Sequence, residues 1–141
     1  MKKLNFLMLF LLAFLFTSCD PAQSLFFVNK EKGNAKVKLI LNSKVINEEL
    51  DKIKTGDSIV FHLKPAGTEE SDVQIYFGMG TWRDSEIIEV AKSIKSIEIE
   101  NDDNLIVYKS EKTITKLLLQ NQEGLIWKTT ININIDDNLL H

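Results

Sequence analysis

The sequence predicts a mainly β protein, a small antiparallel β-sandwich of about seven strands with two short connecting helices. After residue 23, most segments alternate apolar and polar residues, and this period of two is typical of half-buried strands. Glycine, asparagine and aspartate separate these segments, as tight turns require. Because both helices connect strands, an α+β domain with its helices on one sheet face is the alternative fold.

Four strands are predicted in the first half of the domain, at 24–29, 35–41, 58–64 and 72–77. Five residues that include Gly33 separate the first two strands, so we expect a hairpin there. In the third strand, Ile59, Phe61 and Leu63 share the inward face, whereas His62 lies on the outward face.

The hairpin followed by Gly-Asp-Ser-Ile-Val-Phe at 56–61 resembles the first half of many immunoglobulin-like exported domains. This resemblance implies the same sandwich fold and no particular activity. It extends only over the order of strands and turns in this half of the chain.

Three further strands are predicted in the second half, at 96–100, 104–109 and 125–135. In the longest of them, Trp127, Thr129, Ile131, Ile133 and Ile135 lie on one face, since they are two residues apart. Trp127 is therefore expected in the core.

Helical spacing interrupts the strand pattern in two places. Segment 84–94 has apolar residues three and four positions apart, with Thr81 and Asp84 as a possible capping box. A second helix is expected to begin after Ser110, which can cap it, and to end at Gly124, which tolerates a positive φ. Segment 47–54 is a third, weaker helical candidate.

The N-terminus has the composition of a secretory signal peptide. Lys2 and Lys3 precede a mainly apolar segment at 4–16, which is shorter than the roughly 20 residues that a transmembrane helix needs. The next residues, Leu-Phe-Thr-Ser-Cys at 15–19, resemble the lipobox of bacterial lipoproteins. This resemblance implies cleavage before Cys19, a diacylglyceryl thioether on Cys19 and an acylated amine.

Cys19 is the only cysteine in the chain, so it has no internal disulfide partner. The expected organisation is a signal peptide at 1–18, a lipidated tether at 19–23 and one β-rich domain at 24–141. Five tether residues reach less than about 20 Å, so the domain would lie close to its membrane. We expect a bacterial cell-envelope protein with its domain in the periplasm or at the cell surface, and the choice between inner and outer membrane stays open.

After removal of residues 1–18 the chain carries 15 basic and 20 acidic residues, a formal charge of −5. Binding to nucleic acid needs clustered Lys or Arg, so no nucleic-acid partner is expected. The membrane is expected to be contacted through the lipid on Cys19.

No cofactor, metal site or catalytic residue is predicted. His62 and His141 are the only histidines, which is too few for a typical zinc site. No Gly-x-Ser-x-Gly motif surrounds a serine, and His62 is expected to be a surface residue without a catalytic role. We therefore expect a protein that is not an enzyme.

The most distinctive local segment is Gly-Met-Gly-Thr-Trp-Arg-Asp at 78–84. Two glycines permit a tight turn that exposes Trp82 and Arg83, and both residue types are enriched at interface hot spots. Alternatively, Trp82 folds back into one end of the core. The favoured function is a non-enzymatic module that binds an unknown protein or small molecule; a small acidic inhibitor or immunity-type lipoprotein and a hydrolytic enzyme are the alternatives.

Overall fold

The computed structural model describes residues 21–124 and 126–140, without the side chain of Leu140. These residues form a mainly β domain of eight strands and four short helices. In chain order the elements are β1 (Ala22–Asn29), β2 (Ala35–Leu41), α1 (Glu48–Ile53), β3 (Ser58–Leu63), β4 (Asp72–Met79), α2 (Asp84–Ser93), β5 (Ile94–Glu100), β6 (Leu105–Tyr108), α3 (Glu111–Gln120), β7 (Gln122–Glu123), β8 (Thr130–Ile135) and α4 (Asp137–Leu140).

The strands form two four-stranded sheets, which confirms the predicted β-sandwich. The strand order is β4-β1-β8-β7 in sheet A and β3-β2-β5-β6 in sheet B. All pairings are antiparallel except that of β1 with β8, which is parallel. The first and last strands therefore begin at the same edge of sheet A.

A single apolar core lies between the sheets. Alternate residues of each long strand are buried, because successive side chains point to opposite faces. Leu25 and Phe27 of β1 and Ile131, Ile133 and Ile135 of β8 are almost completely buried. The period of two therefore identified Ile131, Ile133 and Ile135 of β8 correctly as inward residues.

Helices α2 and α3 pack against each other and connect the two sheets, α2 between β4 and β5, α3 between β6 and β7. Ser110 caps α3 as expected, since its Oγ accepts a hydrogen bond from Thr113 N at 3.1 Å. The weaker candidate α1 also forms, with Asn47 as its cap and Leu50 buried. The cap of α2, however, is Arg83 and not Thr81.

The expected hairpin between β1 and β2 is wrong, because the two strands belong to different sheets. Their connection is an arch organised by the buried side chain of Asn29. Asn29 Nδ2 donates to Gly33 O and to Lys64 O, both at 2.8 Å, and Asn29 Oδ1 accepts from Glu31 N at 3.0 Å. A short segment rich in turn residues can form either a hairpin within one sheet or an arch between two sheets, so its composition did not distinguish the two.

The expected strand at 125–135 is also too long. Residues 126–129 belong to the loop between β7 and β8, and β8 itself begins at Thr130. Gly124, at φ 140°, does not end α3 but lies at the start of this loop, where an added Cβ would overlap the carbonyl oxygen of Trp127. Trp127 is 65% exposed, so its predicted burial is wrong.

Candidate functional site

The chain enters the domain at Pro21, whose carbonyl accepts a hydrogen bond from Gly80 N at 2.7 Å. Strand β1 begins at the next residue, two positions earlier than expected. The signal peptide and Cys19 lie outside the described residues, so cleavage and lipidation stay predictions. His141 also lies outside them.

Trp82 is buried, with 6% of its surface exposed. Its ring makes an edge-to-face contact with Phe77 at 5.2 Å between centroids. The indole Nε1 is buried and has no hydrogen-bond partner among the described residues. Of the two interpretations of this segment, exposure of Trp82 is therefore wrong, and burial of its side chain in one end of the core is confirmed.

Arg83 is exposed but engaged by Glu86. Its Nε and Nη2 atoms donate to Glu86 Oε1 at 3.0 and 2.6 Å, and its backbone N donates to Oε2 at 2.9 Å. Gln23 Nε2 adds a further hydrogen bond to Oε2 at 3.1 Å. The side-chain hydrogen bond from Arg83 is the main reason why the pKa of Glu86 is lowered. Arg83 and Glu86 therefore cap the N-terminus of α2.

A cavity of about 410 Å³ lies beside Trp82, between the starts of α1 and α2. Phe77, Trp82 and Val90 contribute its apolar wall, while acidic side chains that include Glu48 and Glu89 line it from the helices. Lys92 Nζ lies 2.9 Å from Glu89 Oε1, so part of this negative charge is balanced locally. The cavity suits a basic or amphipathic ligand.

A larger cavity of about 550 Å³ is lined by His62, Lys36, Glu100 and Asp102, among other residues. In the sheet, Lys36 pairs with His62 on one side and with Glu100 on the other. His62 and Glu100 are therefore about 10 Å apart, two inter-strand spacings of roughly 4.8 Å. No hydroxyl or thiol side chain of the described residues lines this cavity, so it offers no Ser, Thr or Cys nucleophile beside His62.

The outward face of sheet B carries charged side chains beside exposed apolar ones such as Val60. Lys36 Nζ forms an ion pair with Glu100 Oε2 at 2.9 Å, and Lys38 is the cross-strand neighbour of Glu98. Such opposite-charge pairs stabilise a solvated sheet surface modestly.

The outward face of sheet A has neutral side chains at the corresponding positions, and we call it the neutral face. It comprises Ser24, Phe26, Val28, Gln74, Tyr76, Thr130, Asn132 and Asn134. Gln74 Nε2 donates to Ser24 Oγ at 2.7 Å, and Tyr76 is exposed. Asp72 and Glu123 lie at its margins.

Sequence reasoning did not identify the neutral face. The signal was present in β8, whose outward positions hold Thr130, Asn132 and Asn134, whereas the outward positions of β2 and β5 include Lys and Glu. The residues of β8 form one continuous surface with those of β1 and β4 only because β8 lies beside β1 and β1 lies beside β4 in the sheet.

No group of three or more His, Cys, Asp or Glu side chains within 21–124 and 126–140 is arranged to hold a metal ion. None of the helices described in this structure is long and apolar enough to cross a membrane. No family model matches the chain, and no curated protein or solved structure is significantly similar to it.

Proposed function

We propose that the chain is a lipid-anchored protein of the bacterial cell envelope that acts as a non-enzymatic binding module. The observation that carries the binding role is the contrast between the two outward faces of the sandwich. Sheet B presents Lys–Glu pairs together with exposed Val60 and Leu105, whereas the neutral face presents amide, hydroxyl and aromatic groups and no charged side chain in its central rows.

The absence of charge from the central rows of the neutral face supports binding because charged residues make up 26% of this chain. Interface cores are depleted in Lys, Glu and Asp and enriched in Tyr and Phe. Tyrosine supplies contact area with little loss of conformational entropy, and Asn supplies adaptable hydrogen bonds. We therefore assign the neutral face to a protein partner whose surface is polar and uncharged.

The anchoring role rests on the lipobox-like residues before Cys19 and on the short distance from Cys19 to the domain. Only Asp20 and Pro21 separate Cys19 from the first residue of β1. Two or three acyl chains would anchor the protein stably, since each buried methylene contributes about 0.8 kcal/mol.

Site-specific photocrosslinking in intact cells tests the binding role. Tyr76 is replaced by the aromatic photocrosslinker benzoylphenylalanine on the neutral face, and His62 is replaced in the same way on sheet B as the matched control. We expect a discrete crosslinked protein from position 76 and none from position 62. Equal crosslinking at both positions, or none at position 76, would refute the assignment.

The acidic cavity beside Trp82 supports an inhibitor or immunity-type lipoprotein as a second candidate. Its acidic lining would attract a partner with clustered Lys or Arg. Such a partner should lose affinity at high salt and in a Glu48→Lys, Glu89→Lys variant, and it should bind a Tyr76→Ala variant normally. A partner that loses affinity for Tyr76→Ala but binds the Glu48→Lys, Glu89→Lys variant normally would be assigned to the neutral face.

A further inference from the structure

The segments nearest to Cys19 lie at one edge of sheet A, and this edge is formed by the ends of strands and not by an outer strand. Strands β1 and β8 are parallel and begin at this edge, while β4 is antiparallel to β1 and ends there. Ala22 accordingly pairs with Met79, and Ser24 pairs with Thr130. We call this surface the anchor edge; it comprises Pro21, the turn at 78–83 and the loop at 126–129.

Three large apolar side chains are exposed on the anchor edge. Met79 is 58% exposed, Ile126 84% and Trp127 65%. Grouped exposed apolar residues mark sites of interaction with proteins or membranes. An exposed tryptophan is characteristic of the membrane interface, where its ring meets the acyl region and its N–H stays hydrated.

Two backbone hydrogen bonds hold the loop at 126–129, which carries Ile126 and Trp127. Trp82 N donates to Lys128 O at 2.7 Å, and Ser24 N donates to Thr129 O at 3.0 Å. The loop is thereby attached to the turn at 78–83 and to the start of β1. In this arrangement Trp127 is exposed, whereas Trp82 is buried.

We propose that Met79, Ile126 and Trp127 insert into the interfacial layer of the bilayer that holds the lipid on Cys19. This inference rests on the proposed lipid anchoring. Two residues reach about 7 Å, so a lipidated Cys19 keeps Pro21 and the adjacent edge near the headgroups. The lipid supplies the attachment, and the three side chains supply the orientation.

The contact is apolar in character. Arg83 and Lys128 are the basic residues of the anchor edge, and the carboxylates of Asp84, Glu86 and Glu123 lie close to them along the chain. Arg83 is already paired with Glu86. Because the edge has no excess of basic residues, it is expected to bind zwitterionic bilayers through apolar contact, with little dependence on salt.

Quenching by brominated lipids tests this orientation. The purified full-length lipoprotein is inserted into phosphatidylcholine vesicles with brominated acyl chains, and the fluorescence of wild type is compared with that of Trp127→Phe. We expect the Trp127 component to be quenched at least about twofold more strongly than the Trp82 component that remains in Trp127→Phe, because only Trp127 lies at the interface.

The control is a distant exposed apolar residue. Leu105 is 61% exposed and pairs with Glu100, at the end of the sandwich opposite to the anchor edge. A tryptophan placed there, Leu105→Trp in the Trp127→Phe background, should add no quenchable component. Equal quenching at 105 and 127, or none at 127, would overturn the proposed orientation.

Mass spectrometry of the same protein separates the two hypotheses. A protein that carries the lipid mass on Cys19 but shows no quenching of Trp127 refutes the docking and leaves the anchoring intact. A protein without the lipid mass refutes the anchoring, and the docking with it.

Discussion

Trp82 and Trp127 differ in environment, and this difference predicts unequal effects of truncation. Trp82→Ala should lower the free energy of unfolding by roughly 3 to 5 kcal/mol, because it leaves a cavity against Phe77 in the core. Trp127→Ala should change it by less than about 0.5 kcal/mol, since the side chain is mostly exposed. Urea titration of both variants measures the two values, and a larger loss for Trp127→Ala would contradict the structure.

Glu86 should make the stability of the domain depend on pH. Its pKa is lowered in the folded protein, mainly by the hydrogen bond from Arg83, relative to an ordinary value of 4.5. Its stabilising contribution is therefore present above about pH 4.5 and is lost as the pH falls through the lowered pKa. The free energy of unfolding of wild type and of Glu86→Gln should be measured as a function of pH, and the difference between them should shrink as the pH falls through this window. Glu70→Gln, in an exposed loop, is the control. A difference that stays constant with pH would rule out this role.

At the residue scale, local pattern predicted the inward residues of several strands, was wrong for Trp127, and left the burial of Trp82 as one of two interpretations. Trp127 is in phase with Ile131 and Ile133, and this phase predicted burial. Periodicity does not show where a strand begins, and the turn that starts at Gly124 takes Trp127 out of the sheet. The burial of Trp82 depends on contacts with β4, which no local pattern contains.

At the scale of elements, the arch between β1 and β2 should depend on Asn29. Asn29→Ala should lower the free energy of unfolding by about 2 kcal/mol or more, because Gly33 O and Lys64 O lose their donor in a largely buried position. Asn42→Ala provides a comparison, since Asn42 Nδ2 makes one hydrogen bond, to Lys92 O at 3.0 Å. Thermal unfolding measures both losses, and an equal or smaller loss for Asn29→Ala would contradict the importance of the arch.

The bounds of most elements were predictable from the sequence because each has its own period and its own turn or cap residues. The arrangement of the strands was not. Whether a short connection forms a hairpin or an arch depends on which sheet offers a partner, and β1 takes β4 and β8 as partners from distant parts of the chain. The neutral face could not be predicted for the same reason, since it combines residues from three strands.

At the scale of the whole molecule, the lipid on Cys19 is predicted to decide where the protein is found. Cys19→Ala should move it from the membrane fraction to the soluble fraction or leave the signal peptide uncleaved, because the thiol is the proposed attachment point. Fractionation with and without detergent, together with the mass of the mature N-terminus, provides the measurement. Normal cleavage and detergent-dependent membrane association in Cys19→Ala would exclude lipidation at this residue.

The position of β8 has a consequence for the order of folding. This strand lies between β1 and β7, so β1 keeps one edge unpaired until residues 130–135 are available. Pairing between segments so far apart in the chain is slow, because a long loop must close first. Were the chain exported from its N-terminus, as proposed, it would emerge with sheet A incomplete until β8 followed. The free edge of β1 would then be the part that most needs protection from aggregation.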